Sequence, residues 1–148
     1  MPDAQSLTLN LEYAWTPVLD DNDQPYTFPS PLGFRIRGEW ARPAVYRWAI
    51  KIGNKIDSVH IGEADDLSRR IYQYLNPGAA QQANAKVKSA LAQQALRGGV
   101  VTLDALTVTN GSLNNQPLGK DALREHSVRR AIESLLTLEA RKSGIKTL

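Results

Sequence analysis

The chain switches between two hydrophobic periods, and their order predicts its elements. Residues 7–15 (LTLNLEYAW) alternate apolar and polar side chains, as a strand with one buried face does. Residues 17–33 hold four prolines and three aspartates and read as a loop. A short strand is expected over 33–38 (GFRIRG). Two β-rich runs, 44–50 (AVYRWAI) and 56–61 (IDSVHI), flank Gly53-Asn54, a turn-forming pair, and so predict a hairpin. Asp65 then reads as a helix N-cap, with Asp66 adding negative charge to the first turn. That helix carries Leu67, Ile71 and Leu75 on one face and stops before Asn76-Pro77-Gly78. Val87, Ala90, Leu91 and Ala95 recur at helical spacing ahead of Gly98-Gly99. Residues 100–108 (VVTLDALTV) predict a third core strand, 110–119 an exposed polar loop, and 121–141 a long helix striped by Val128, Ile132, Leu135 and Leu136.

The sum is hairpin, helix, helix, strand, helix. With no βαβ alternation it predicts an α+β domain, a small antiparallel three-stranded sheet flanked by helices. Residues 1–42 form an N-terminal extension with one or two extra strands and a Pro/Asp-rich loop; 43–148 form the main domain.

Composition narrows the class. A chain of 148 residues, 42% apolar and 22% charged, suits one globular domain. The absence of cysteine excludes disulfides and thiolate metal sites. No apolar run approaches the ~20 residues of a bilayer span. The first ten residues lack the basic-then-apolar pattern of a signal peptide, so a cytoplasmic protein without membrane contact is expected. Charge is uneven: the first 34 residues hold five acidic groups and no basic one, and the remainder carries eighteen basic against ten acidic. A basic body behind an acidic leader suits a domain that handles polyanions.

Several short patterns then fall in one order. Ala44-Val45-Tyr46 resembles the GIY element, and His60-Ile61-Gly62 the YIG element, of the GIY-YIG nucleases. The following EADDLSRRIYQYLNPG is similar to the stretch after YIG in the incision nuclease of nucleotide excision repair, with Leu67, Arg70 and Tyr74 at the matching offsets. Glu133, in AIESLL, matches the family's late metal-binding glutamate. The resemblance is close over about 35 residues, from 43 to 77, and looser to 141. It departs from the pattern at Ala44 for glycine, His60 for tyrosine, and Ile145 where many members carry asparagine.

The resemblance implies an endonuclease that hydrolyses DNA phosphodiester bonds with one divalent metal. Tyr46 would be the general base, its phenol brought down from about 10 by nearby cations or the metal. Arg70 would stabilise phosphate charge, Tyr74 would bond the phosphate or the water one helical turn away, and His60 would stand near the water. Glu133 would hold Mg²⁺ or Mn²⁺ to neutralise the leaving oxygen. Arg47, Lys51, Lys55 and Arg69 are candidate phosphate contacts, and double-stranded DNA is favoured over RNA as partner. The alternative is a weak or inactive GIY-YIG scaffold that binds nucleic acid without cutting it. A third reading has the acidic leader occupying a basic groove in a protein-interaction adaptor.

Overall fold

The computed structural model describes residues 3–30, 35–76, 82–119 and 121–148. In chain order the elements are β1 (Leu9–Pro17), β2 (Thr27–Phe28), β3 (Ala44–Ile52), β4 (Lys55–Ala64), α1 (Leu67–Leu75), α2 (Gln82–Leu96), β5 (Val100–Leu113), β6 (Gln116–Pro117), α3 (His126–Lys142) and β7 (Lys146–Thr147). The class is α+β. The sheet is mixed and has seven strands, where three core strands and one or two from the N-terminal extension were expected, in the order β1-β5-β3-β4-β7 with β2 and β6 also on β5. The hairpin β3/β4 and strand β5 form its centre, and all the pairings are antiparallel except β4 with β7.

The strand expected over 7–15 forms as β1, and its long-range pairing lengthens β5. β1 runs beside β5 from Leu9↔Leu113 to Pro17↔Asp104, which carries β5 well past residue 108. The expected loop over 110–119 is therefore the end of β5, a turn, and β6. Asn114 and Asn115 sit at φ 48° and 66° in that turn, a left-handed pair that asparagine tolerates. The short strand expected over 33–38 is not formed in its described part. Ile36 makes one bridge to Asp20, Gly38–Trp40 turn as a 3₁₀ helix, and Gly33 and Phe34 lie outside the described residues.

Period-two alternation along β3 divides the core. Tyr46, Trp48 and Ile50 face α1 and α2 in a layer that also takes Val18, Tyr26 and Phe28 from the N-terminal segment. Val45 and Ala49 face α3, meeting Ile132, Leu136 and Ala140. One layer thus lies on each side of the sheet. The layers come together at the β4 edge, because β7 covers only Ser58 and Val59 there. No helix among the described residues is long and apolar enough to cross a membrane.

Two helix starts differ from expectation. The N-cap of α1 is Asp66, whose carboxylate accepts the Arg69 amide at 3.0 Å, and not Asp65. The last helix begins at His126, five residues later than expected, behind a 3₁₀ turn over Ala122–Arg124. Arg129 braces that turn. It is fully buried, and its guanidinium donates to Glu63 Oε2 at 2.8 Å, to Asp65, and to the carbonyls of Leu123 at 2.9 Å and Arg124 at 3.0 Å. Those bonds satisfy carbonyls just ahead of the helix.

Candidate functional site

The cleft opens at the uncovered part of the β4 edge. Residue Tyr46 on β3 pairs with Gly62 on β4, and His60 is opposite Trp48. Arg70 and Tyr74 project from successive turns of α1, and Glu133 comes from α3. These five, with Gly62, Glu63, Asn84, Val87, His126 and Arg130, line one cleft of about 290 Å³. Three residues of α3 reach it at i, i+4 and i+7, so they form a single helix face.

Gly62 has a steric reason to be glycine. A Cβ there would sit 2.5 Å from Tyr46 Oη and 2.6 Å from its Cζ, so the phenol can cross β4 only where no side chain stands.

The polar groups form a directed chain. Tyr46 Oη and Tyr74 Oη are 2.7 Å apart, and Tyr74 Oη is 3.1 Å from His60 Nε2. His60 Nδ1 lies 3.2 Å from the main-chain oxygen of Leu148, which can only accept, so Nδ1 carries the proton. Burial lowers the His60 pKa, with Arg70 pushing the same way against the Leu148 bond, and favours the neutral ring. Nε2 is then an acceptor, Tyr74 donates to it, and Tyr46 in turn donates to Tyr74. Tyr46 presents only lone pairs to Arg70 and the cleft.

The protein's own groups raise the Tyr46 phenol well above its ordinary value, first by burial and then by Tyr74, against the opposing pull of Arg70, so bringing it down would fall to the metal. Tyr74 is also raised, by burial above all. Burial disfavours charge on Arg70, but Tyr46, Tyr74 and Glu63 outweigh it and raise its pKa. Glu133 is raised by burial and by repulsion from Glu63, with Arg130, Arg70 and His126 opposing.

Glu63 is engaged by Arg129 and stands 3.4 Å from His126 Nδ1. Glu63, Asp65 and His126 offer donor atoms within 4.8 Å of one another, but Arg129 already holds both carboxylates. Glu133 carries no ion pair among the described residues, and its carboxylate is destabilised in a way that an added cation would relieve. A single-carboxylate site fits.

The candidate phosphate contacts scatter. Arg47 alternates with Tyr46 to the other face, where it pairs with Asp104 at 2.8 Å and stacks on Trp15 at 4.8 Å; it is a structural residue and not a cleft cation. Lys51 and Lys55 are exposed at the hairpin tip, Lys51 five residues from Tyr46 along β3, roughly 16 Å at about 3.3 Å each. Arg69 is exposed on α1 but points away from the cleft, into a second cavity. Arg130 and His126, overlooked in the sequence, supply basic groups inside; the stripe 126, 130, 133 is the signal that could have found them. Ile145 packs against the α3 layer and does not reach the cleft. Nor does the acidic leader, since the described cleft-lining residues begin at Tyr46. Comparison with protein-family models, curated proteins and solved structures found no match.

Proposed function

We propose that the chain is a metal-dependent endonuclease of the GIY-YIG kind that hydrolyses DNA phosphodiester bonds. The carrying observation is that Tyr46, His60, Arg70, Tyr74 and Glu133, spread over 88 positions, line one open cleft. Arg70 and Arg130 put fixed positive charge where a phosphate would lie. Tyr46 turns lone pairs toward an attacking water, and as the phenolate it would take that water's proton. Glu133 would hold Mg²⁺ or Mn²⁺, which supplies charge neutralisation at the leaving oxygen.

The test is nicking of supercoiled plasmid by the purified chain with Mg²⁺ or Mn²⁺. Glu133→Gln and Arg70→Ala should each lose about 10²-fold or more in rate. Cutting by Glu133→Gln at the wild-type rate sinks the reading. One observation favours the non-cutting scaffold instead: Tyr46 is fully buried and its phenol is held well above the ordinary range. DNA binding that falls steeply with salt, without metal-dependent nicking, would select that second reading.

A further inference from the structure

On the other flank of α1 lies a larger cavity, about 660 Å³, between α1, α2 and the N-terminal segment. We propose that it is a nucleotide subsite, receiving an unstacked base together with its phosphate. Its source, a strand crossing from the cleft, rests on the nuclease reading above.

The cavity has the chemistry of such a ligand. Phe28, Ile71 and Leu75 give it apolar walls that a planar base can fill. Three cations, Arg35, Arg69 and Lys88, line it, and no carboxylate does so among the described residues. Lys88 is anchored by donating to the Leu75 carbonyl at 2.9 Å, whereas Arg35 and Arg69 make no ion pair among the described residues. An anion is the complement of that lining. Tyr26 contributes to the wall, is 1% exposed, and has a buried hydroxyl with no hydrogen-bond partner among the described residues. That hydroxyl stands behind the cavity surface, so it is the ring of Tyr26 that meets a base.

The cavity and the cleft are also connected in a way a strand could use. Neighbouring residues on a helix point about 100° apart, so Arg70 faces the cleft while Arg69 faces the cavity. Gln73 lies on the face of α1 between Arg69 and Arg70, while Arg69 and Tyr72, both exposed on the cavity side, offer a guanidinium and a phenol on which a base can stack. A helix is about 10 Å across, a span that one or two nucleotides bridge.

The experiment is calorimetric titration of the full chain with adenosine and thymidine 5′-monophosphates, with inorganic phosphate and ribose 5-phosphate as base-free controls. The monophosphates should bind at least about tenfold more tightly than either control. Arg69→Glu and Arg35→Glu, both on the surface and safe for folding, should each weaken them about tenfold. Equal binding of inorganic phosphate, no binding by wild type, or wild-type affinity in both variants overturns the subsite. Plasmid cutting in the same preparation separates the two ideas. Cutting without nucleotide binding removes the subsite alone; binding without cutting removes the nuclease and leaves the subsite standing.

Discussion

At the scale of single residues, His60 and Tyr46 decide how the cleft responds to pH. His60 is lowered by burial, so the unfolded chain takes up its proton first as pH falls. Stability is then unaffected above the ordinary histidine value of 6.5 and declines as pH drops through it. His60→Gln should flatten the fall in melting temperature between pH 7.5 and 5; an unchanged slope would mean the ring is not held neutral. Tyr46 acts in the other direction. Its raised phenol makes the anion scarce at neutrality, so nicking should climb about tenfold per pH unit well into the alkaline range, and Tyr46→Phe should abolish the climb. A rate that levels off below pH 8 would contradict this. Residue type and order are legible in the sequence, which is why Tyr46 and Glu133 can be picked out at all. Burial is not legible, and burial sets the sign of the tyrosine shift.

At the scale of elements, the β3/β4 hairpin depends on one missing side chain. Gly62→Ala pushes a methyl into the Tyr46 phenol, and overpacking of this kind costs about 1–3 kcal/mol. Gly38→Ala is the control, because nothing lies within 4 Å of its added carbon. Thermal melts should show a drop of several degrees for the first and little for the second. The hairpin and α1 are readable in advance because their signals are local: alternation, Gly53-Asn54, and an apolar face at 67 and 71. The extension of β5 is not, because β1 makes that pairing from about a hundred residues away. The choice between Asp65 and Asp66 as N-cap is likewise settled from outside, by Arg129 recruiting Asp65.

At the scale of the whole molecule, Arg129 fastens the α3 layer to the end of β4. Removing its charge leaves Glu63, 13% exposed, without its guanidinium, and loss of one partner from a buried pair costs about 3–5 kcal/mol. Arg129→Met should therefore lower the urea midpoint strongly, and a midpoint within error of wild type would show that the contact is dispensable. Arg129 and Arg130 are alike in the sequence, since only the assembled layers reveal that one of the two neighbours is enclosed.

The cleft has one jaw on each side of a β-sheet and meets only around an unguarded rim, so it works like a caliper. Its gap is not a property of either jaw. Slippage of α3 by a fraction of a turn would leave every helix and strand intact while carrying the Glu133 carboxylate away from the other residues that line the cleft. Warming should accordingly silence such a protein several degrees before it unfolds.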